Sequence, residues 1–421
     1  MKTLLKAMAL TGVVAWSLAQ PVLAQQTERV PALREKVYSQ LARAQTAADE
    51  QGNAAGIKVL KEIAARADSM NSYERAMLWN YFGFMYYDQG ETARAINYFG
   101  KVVEQQPIPE SLKKNTLFSL AQLALSDGQY QQALDYVDQW QAMASDKELP
   151  KSWVLQAQAL YQNEDYQQAL AAIDKAIEST TNNNDVPKEN WLVLARAIYY
   201  ELNQTAGVAA MLEQLVVNYS KPEYWLQLAG VYGQLEQTKK QLAVLEAAHQ
   251  QGFIKTAEQW RNLAQVYYLN ELPFKAAKVI EQGLSKNILA DNLSNRKFYA
   301  QSLMQAKEYQ KAITAYQQAA DLGDSGEMLA QAAQLAINND KNEQALQLAD
   351  DSLAAGELKN PGNMYLVKGM VYVNLQQFDQ ALNEFNTAAE FSGSRAAAQQ
   401  WSRYAKSQLA YKRQLAENKL N

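Results

Sequence analysis

Few residues in this chain have the types and spacing that catalysis or metal binding requires. The sequence holds one histidine, His249, and no cysteine, so it contains neither a Cys/His nucleophile pair nor a histidine-rich metal site. Carboxylates are plentiful, so residue counts alone leave a carboxylate-only hydrolase open, although no acidic pair stands out. Asp321, Asp324 and Glu327 lie close together, but their spacing does not match a Ca²⁺-binding loop, and we interpret this segment as a turn.

Other signs of catalysis are also missing from the sequence. It has no glycine-rich phosphate-binding loop and no G-x-S-x-G nucleophile elbow. His249 comes near the end of a helical pattern, just before Gly252, where a capping or solvent-facing role is expected. We therefore predict a protein that is not an enzyme and that holds no cofactor and no metal.

A short phrase of residue types recurs nine times along the chain. An aromatic or bulky lead residue is followed four residues later by a small residue and about twelve residues after that by alanine, as in Trp153, Ala157 and Ala169. The lead residues lie 33 to 38 residues apart, and they are Trp79, Leu117, Trp153, Trp191, Trp225, Trp260, Arg296, Leu329 and Tyr365. A period of about 34 residues is typical of helix-turn-helix repeats that stack into a solenoid.

Apolar residues inside each repeat follow the helical period. Trp153, Ala157 and Leu160 share one face of a first helix, polar residues then break the pattern, and Tyr166 begins the apolar face of a second helix. Because the connection is short, the two helices are expected to run antiparallel. Small residues at matching places on both helices should let the paired helices approach closely. We expect no β-strand.

The repeats divide the chain into four parts. These are a signal peptide at 1–24, a loose tail and divergent helix pair at 25–73, nine repeats at 74–391, and a capping helix at 392–421. The divergent pair is predicted from Leu33 to Ala48 and from Ala55 to Ala67. The capping helix is predicted from Arg395 to Leu415, with polar and basic residues on its outer side, because end units of a solenoid need a polar face.

The first 24 residues have the pattern of a secretory signal peptide. Lys2 and Lys6 precede an apolar run at 7–19, and Ala24 ends a small-residue cleavage site. The run is too short to span a bilayer. Its removal would change the net charge from −4 to about −6, which argues against nucleic acid or an anionic membrane surface as the main partner. We expect a protein of the periplasm, in a Gram-negative host, without a membrane span.

The repeated phrase resembles the tetratricopeptide repeat. The Trp79 unit matches the family pattern best, at Phe82, Gly83, Tyr86, Gly90, Ala95, Phe99 and Pro107. The Trp191 unit departs from it, with Gly207 in place of the second-helix alanine, and the Arg296 and Leu329 units lack the aromatic lead. The resemblance covers residues 74–391. It implies an all-α fold, a right-handed α-solenoid of stacked antiparallel helix pairs, and a protein-binding role.

In this family the first helix of each repeat lines a concave groove. The resemblance therefore implies a partner-binding groove formed by Tyr87, Gln122, Gln158, Tyr161, Arg196, Tyr199, Tyr200, Arg261, Gln265, Tyr268 and Gln301. Its centre would lie at Arg196, Tyr199, Tyr200, Arg261 and Tyr268. Tyrosine and arginine dominate binding energy at interfaces, and glutamine can hydrogen-bond the backbone of an extended peptide. The alternative for each tyrosine is a place in the core between repeats.

One family-specific function is not supported by the sequence. Tetratricopeptide domains that grip the C-terminal carboxylate of chaperones use a clamp of lysine and asparagine on successive first helices. Asn80 stands where the first lysine of that clamp would be, and Phe84 stands where the first asparagine would be. A chaperone-tail function is therefore not expected.

The chain as a whole is similar to periplasmic tetratricopeptide proteins of gamma-proteobacteria assigned to the TonB–ExbB–ExbD energy-transduction system. That resemblance rests on the signal peptide, the stretch at 78–87 and the run of repeats without another domain. It implies a non-catalytic scaffold that contacts periplasmic parts of TonB, ExbB or ExbD. Two alternatives remain open: an assembly factor for outer-membrane, secretion or cell-wall machinery, and a repeat protein that binds peptidoglycan or polysaccharide.

Overall fold

The structure is a computed structural model that describes residues 29–420. All regular secondary structure in this range is helical, comprising 21 α-helices and one short 3₁₀ helix, Ala67–Ser69. The helices α1 to α21 are, in chain order, Glu35–Gln51, Asn53–Ala64, Ser72–Asp88, Thr92–Val103, Glu110–Ser126, Tyr130–Gln141, Leu149–Gln162, Tyr166–Thr181, Glu189–Glu201, Thr205–Tyr219, Pro222–Gln234, Thr238–Gln250, Ala257–Leu269, Pro273–Ser285, Leu293–Gln305, Tyr309–Ala320, Ser325–Ile337, Asn342–Ala355, Gly362–Asn374, Phe378–Glu390 and Arg395–Leu420. The predicted signal peptide lies outside the described residues, as do residues 25–28 of the predicted tail.

The chain divides into two compact units. Unit 1 extends to Ser179 and contains α1–α7 and nearly all of α8, whereas unit 2 begins at Thr180 and contains α9–α21. The segment predicted as a divergent helix pair contains α1 and α2. Within each unit a first helix is followed by a short turn and a second helix, and successive pairs pack on each other. The predicted all-α fold of stacked antiparallel helix pairs is therefore confirmed within each unit.

Glycine and alanine lie where paired helices touch. A Cβ added at Gly83 of α3 would come within 2.6 Å of the Phe99 ring of α4, and one added at Gly369 of α19 would come within 2.3 Å of the Phe385 ring of α20. Alanines at matching places in these two pairs and in others are fully buried, and they are Ala95, Ala133, Ala157, Ala169, Ala195, Ala264, Ala276, Ala312 and Ala381. The close approach expected from these small residues is therefore present in both units.

The turn between a first and a second helix has the same backbone form in many pairs. The N–H of Glu91 donates to the carbonyl of Tyr86 at 2.9 Å, and the intervening Gly90 has φ of 75°, as in a Schellman-type helix end. Glu236 and Glu271 occupy the place of Gly90 in unit 2, with φ of 57° and 60°. Glycine adopts such a φ without steric cost, whereas a side chain with a Cβ is strained there.

A buried carboxylate joins the segment before α1 to helix α3. Glu74 is fully buried and accepts hydrogen bonds from Arg34 Nε at 2.6 Å and Arg34 Nη2 at 2.5 Å. It also accepts from the backbone N–H of Asn71, whose side chain accepts in return from the N–H of Glu74. This capping box starts α3. Hydrogen bonding to Arg34 lowers the pKa of Glu74 from its usual value to about 2.

Tyrosine–glutamate hydrogen bonds connect successive helix pairs of unit 2. The tyrosine belongs to a first helix and the glutamate to the second helix of the preceding pair. The bonds run from Tyr232 to Glu213 at 2.5 Å, from Tyr267 to Glu246 at 2.6 Å, and from Tyr299 to Glu281 at 3.2 Å. Burial and the hydrogen bond to Glu213 raise the pKa of Tyr232 to about 12. Three consecutive junctions between pairs therefore have the same polar contact.

The last helix extends beyond the predicted end at Leu415. Helix α21 has 26 residues, twice as many as α19, and it packs on α20 and α19. Its exposed side carries basic residues as expected, but it also carries Tyr404 and Tyr411, which are 47% and 60% exposed. One flank of α21 therefore presents tyrosine rings in addition to the polar and basic residues that were predicted.

Candidate functional site

A pocket of about 380 Å³ lies between first helices of unit 1. Its lining consists of Phe84 and Tyr87 from α3, Phe99 from α4, and Ser119, Gln122, Leu123 and Ser126 from α5. Pockets of a few hundred Å³ are of the size that binds small molecules or single side chains. Tyr87 and Gln122, which the sequence assigned to a partner-binding groove, are both in this lining and are both exposed.

Helical spacing explains how these side chains come to line one pocket. Phe84 and Tyr87 are three residues apart on α3, and Ser119, Gln122 and Ser126 follow the same helical face of α5. The ring of Phe84 stands edge-on against the ring of Phe99, with centroids 5.1 Å apart. That contact holds Phe84 in place although it is 52% exposed.

The lining of the pocket is uncharged. Three aromatic rings and Leu123 provide apolar walls, while Gln122 and the two serines provide donors and acceptors. Such a lining can enclose an apolar side chain and hydrogen-bond a neighbouring peptide group, but it offers no cation to a terminal carboxylate. The pocket is therefore suited to an internal segment of a polypeptide rather than to a chain end.

The two other predicted residues of unit 1 lie on α7. Gln158 and Tyr161 are half-buried. The ring of Tyr161 lies 5.6 Å from the ring of Tyr166, centroid to centroid, across the turn that follows α7. Neither residue belongs to the lining of the pocket between α3 and α5.

Arginines of the predicted groove in unit 2 bind neighbouring first helices. Arg196 of α9 donates from Nη1 to the side-chain oxygen of Gln227 on α11. Arg261 of α13 donates from Nη2 to Ser294 Oγ at 2.8 Å and from Nη1 to Asn295 Oδ1 at 3.3 Å on α15. Both guanidinium groups therefore link one helix pair to the next.

The predicted tyrosines of unit 2 have three different surroundings. Tyr199 is half-buried, and a Cβ added at Gly207 of α10 would come within 2.2 Å of its ring, so Tyr199 packs between the helices of its own pair. Tyr200 is 72% exposed. The ring of Tyr268 packs edge-on against that of Phe298 at 5.6 Å between centroids. Tyr199 and Tyr268 therefore contribute to packing, and Tyr200 offers an open surface.

The remaining predicted residues are glutamines on first helices of unit 2. Gln265 of α13 is exposed, and Gln301 of α15 is half-buried. Sequence reasoning did not select Gln227, Ser294 or Asn295, which hold the two arginines. It also passed over Ser119 and Ser126, although their spacing from Gln122 on α5 places them on the same face.

The single histidine has a packing role. The rings of His249 and Trp260 are nearly perpendicular, with 4.9 Å between their centroids, and burial lowers the pKa of His249. His249 lies in the last turn of α12, where a capping role was expected, and α13 places Trp260 against its ring. Within residues 29–420 no cluster of three or more metal-ligating side chains occurs. In the same range no helix combines the length and apolarity needed to cross a membrane.

Two segments of the chain match known protein families. Residues 362–394, which contain α19 and α20, match the tetratricopeptide repeat. Residues 88–176 match the family described as anaphase-promoting complex (cyclosome) subunit 3. The chain therefore contains tetratricopeptide repeat sequence, as its repeated phrase predicted. No curated protein matches the chain.

Several solved structures are similar to parts of the chain. YrrB, described as a tetratricopeptide repeat protein with an unusual peptide-binding site, is 15% identical with a TM-score of 0.35 and covers 45% of this chain and 96% of its own. The P58(IPK) tetratricopeptide domain is 13% identical with a TM-score of 0.25, over 90% of this chain and 99% of its own. BtubC from P. vanneervenii is 13% identical with a TM-score of 0.35, over 52% and 91% respectively. The fold assignment therefore rests on the helix pairs of this chain itself.

Proposed function

We propose that this tetratricopeptide repeat chain is a non-catalytic scaffold that holds a segment of a partner protein on its first helices. The observation that carries this proposal is the uncharged pocket formed by Phe84, Tyr87 and Gln122 with their neighbours in unit 1. A structural role alone would not require Phe84 and Tyr87 to stand 52% and 53% exposed. Exposed rings beside a glutamine amide are the side chains that interfaces use to hold an extended segment.

Unit 2 offers a second surface, which differs from the uncharged pocket of unit 1 because it carries two arginines. Tyr200 and Gln265 are exposed on first helices, and Arg196 and Arg261 lie on the same helices, where each is held by a neighbouring pair. A partner that reaches this surface would find arginines already oriented, which lowers the entropy cost of binding. Each unit is therefore proposed to have its own contact with a partner.

The cellular setting is part of the proposal. A signal-peptide pattern and a resemblance to proteins of the TonB–ExbB–ExbD system support a place in the periplasm, as an accessory to outer-membrane transport driven from the inner membrane. The aromatic pocket is equally compatible with the alternative of a glycan ligand, because aromatic side chains also line polysaccharide sites. The experiments below separate these ligands.

The binding site is tested by crosslinking in the periplasm of the native host. Phe84→Ala combined with Gln122→Ala should lower the yield of crosslinked product at least tenfold. The reason is that the double variant loses a wall residue from each of the two helices, α3 and α5, that face each other across the pocket. Tyr38→Ala is the matched control, since Tyr38 is 55% exposed on α1 of the same unit and outside the pocket lining. Circular dichroism should show the same helicity in all three proteins. Equal crosslinking of the pocket variant and the control would refute the site.

The transport role is tested by growth of a deletion strain on a ferric chelate as the only iron source. The proposal expects slow growth that the wild-type gene restores and the Phe84→Ala, Gln122→Ala variant does not. Normal growth on chelates, together with binding of the purified protein to peptidoglycan sacculi, would favour the glycan-binding alternative. Normal growth without sacculus binding would favour the assembly-factor alternative.

A further inference from the structure

Helix α11 lacks side chains at two places where the first helices of the other repeats have large ones. Gly230 lies five residues after the lead residue Trp225, and Gly233 follows one helical turn later. At the register of Gly230 the other repeats carry Phe84, Gln122, Gln158, Arg196, Gln265, Gln301, Gln334 and Met370. At the register of Gly233 they carry Tyr87, Leu125, Tyr161, Tyr199, Tyr268, Met304, Ile337 and Val373. Gly230 and Gly233 therefore leave a gap in the row of side chains, the α11 gap.

Packing inside the protein does not require glycine at position 230. Gly230 is exposed, and outside its own helical turn a Cβ added there would meet no atom within 4 Å. By contrast, a Cβ added at Gly83 or Gly369 would strike a ring of the paired helix. At Gly233 it would meet the amide end of the Gln241 side chain at 2.7 Å, which is free to move aside. Because glycine destabilises the interior of a helix relative to alanine, the fold alone does not account for the α11 gap.

The first helices on either side of α11 carry apolar residues where the other repeats are polar. Nine residues after the lead residue, Tyr200 lies on α9 and Leu269 lies on α13, and each is 72% exposed. At the same register the other repeats carry Asp88, Ser126, Gln162, Gln234, Gln305, Asn338 and Asn374. The only two apolar residues at this register therefore belong to the two repeats next to α11.

Contacts between helices place α9 and α13 beside the α11 gap. Arg196 of α9 donates a hydrogen bond to Gln227 of α11, and Gln227 lies one turn before Gly230 on the same helical face. On the other side, Ala229 of α11 shares a hydrophobic core with Trp260 of α13. The gap is therefore bordered by both neighbouring first helices of unit 2.

The charge at the border of the gap comes from Arg196. Its guanidinium is half-buried, and within residues 29–420 no carboxylate forms an ion pair with it. The bond to Gln227 leaves other N–H donors of the guanidinium for a ligand. Glu201 and Glu236 are exposed at the opposite, carboxyl-terminal ends of α9 and α11. An anionic group of a ligand is therefore drawn to Arg196 and kept away from the other end of the gap.

We propose that the α11 gap binds an aromatic side chain of an extended partner segment that has an acidic residue beside it. The ring would lie over Gly230, between Tyr200 and Leu269, where enclosure buries a large apolar area. The carboxylate would pair with Arg196, because guanidinium and carboxylate match in geometry as well as in charge. A neutral glycan would leave Arg196 without a counter-charge. This inference rests on the proposed scaffold function and specifies the chemistry of the segment that unit 2 holds.

Gly230→Gln tests the gap directly, because glutamine is the residue that most other repeats carry at this register. The change fills the gap and replaces glycine by a better helix former, so the thermal midpoint should stay the same or rise. Gly100→Gln is the matched control, since Gly100 of α4 is also a helical glycine with no atom within 4 Å of an added Cβ. Binding that is lost in Gly230→Gln alone therefore does not come from a loss of folding.

The probe is a phage-displayed library of random twelve-residue peptides, selected on the full-length protein. The wild type and Gly100→Gln should enrich peptides in which an aromatic residue lies within two positions of aspartate or glutamate, and Gly230→Gln should not. The most enriched peptide should bind at least tenfold more weakly to Gly230→Gln in fluorescence anisotropy. Leu269→Gln should also weaken it, because glutamine is a residue that other repeats carry at this register. Arg196→Gln should abolish the preference for an acidic neighbour.

Three outcomes would overturn the inference. The first is that the wild type enriches no aromatic–acidic peptides, or that Gly230→Gln enriches them equally. The second is self-association in sedimentation that Gly230→Gln abolishes, which would assign the gap to a second copy of the chain. The third is binding to peptidoglycan sacculi that Gly230→Gln abolishes, which would assign the gap to a glycan.

The same library separates this inference from the proposed function. Peptides that the Phe84→Ala, Gln122→Ala variant fails to select depend on the pocket of unit 1. If the wild type selects only such peptides, the scaffold function stands and the role of the α11 gap is refuted. If the wild type selects no peptide of any class, both are refuted.

Discussion

At the scale of single residues, two adjacent tyrosines have different roles. Neighbours one position apart on a helix point about 100° apart, so Tyr199 packs on Gly207 while Tyr200 faces outward with 72% of its surface exposed. The sequence placed both in one groove because both are tyrosines on a first helix. The position of α10 is what makes Tyr199 a packing residue and leaves Tyr200 on the surface.

This difference predicts opposite phenotypes for two substitutions. Tyr199→Ala should lower the free energy of unfolding by about 1–3 kcal/mol, because it leaves a gap between α9 and α10. Tyr200→Ala should leave stability within about 0.5 kcal/mol and should weaken partner capture. Denaturant unfolding and periplasmic crosslinking measure the two effects. A stable Tyr199→Ala protein with impaired capture would mean that Tyr199 belongs to the binding surface.

Glu74 and Arg34 give a prediction about acid stability. The pKa of Glu74 is held at about 2, below its ordinary value of about 4.5, so its ionised form stabilises the fold above about pH 4.5 and loses that effect as the pH falls towards 2. Arg34→Ala should therefore lower the thermal midpoint by roughly 3–6 °C at pH 7 and by much less at pH 2.5. Calorimetry at the two pH values checks this, and Arg43→Ala is the control, since Arg43 has only an exposed pair with Glu62. A difference of equal size at both pH values would mean that Arg34 acts through packing instead.

At the scale of elements, the turns inside helix pairs determine where local strain lies. Gly90 and Gly128 serve the turns of two pairs in unit 1, whereas Glu236, Glu271 and Lys307 hold the same positive φ in unit 2. Each of these three side chains costs energy in that conformation. The helix pairs of unit 2 therefore keep these turns because the packing of both helices enforces them.

Glycine at these turns is expected to stabilise the protein. Glu236→Gly and Glu271→Gly should each raise the free energy of unfolding by about 0.5–1 kcal/mol, because relief of the strain exceeds the entropy that glycine adds to the unfolded chain. The reverse change, Gly90→Ala, should lower it by about 1 kcal/mol. Urea unfolding of the single variants measures these values. Lower stability of both glycine variants would show that the glutamate side chains make a stabilising contribution in the native turn.

At the scale of the whole molecule, stability is spread along the chain because helices pack on their neighbours in sequence. With no cysteine in the sequence, the junctions between pairs rest on packing and on side-chain bonds. Three consecutive junctions of unit 2 each contain a tyrosine–glutamate hydrogen bond. Because the tyrosine hydroxyl donates its proton in each bond, these junctions should weaken when alkali removes that proton. Burial raises the pKa of Tyr232 and Tyr299 to about 12, above the ordinary value of about 10 for an exposed tyrosine.

The raised pKa values fix the direction of the pH effect. The protonated hydroxyls of Tyr232 and Tyr299 stabilise the fold fully below about pH 10, and this stabilisation is lost as the pH rises towards 12. The loss begins near pH 10 because the tyrosines of the unfolded chain release their protons at a lower pH than those of the folded chain. Replacing Tyr232, Tyr267 and Tyr299 by phenylalanine should cost about 1 kcal/mol per bond at pH 7. It should also flatten the loss of stability between pH 10 and 12. Hydrogen exchange of α10–α15 followed by mass spectrometry measures the stability at pH 7 and its loss between pH 10 and 12, with Tyr38→Phe as control. If the triple variant loses stability between pH 10 and 12 as the wild type does, these three tyrosines are not the source of the alkaline sensitivity.

The candidate site was partly accessible from sequence. Tyr87 and Gln122 fall on successive first helices because the repeat period and the helical period together fix their faces. Phe99 could not be assigned to the same pocket, because it lies on a second helix and reaches the site only through the contact that Gly83 allows. The partners of Arg196 and Arg261 were missed for a similar reason, since each lies on the first helix of the next repeat along the chain.

The sequence by itself determined the all-α fold, the pairing of helices and the small residues at their contacts, because these follow from local periodicity and from a phrase repeated in register. Tertiary structure alone decided which residues are brought together by different helices. It placed Phe84 and Tyr87 beside Gln122, turned Tyr199 into a packing residue and set His249 against Trp260. The exposure of a side chain and its contacts depend on the neighbouring helix as well as on the helix to which the residue belongs. A periodic sequence pattern does not specify how closely the neighbouring helix packs.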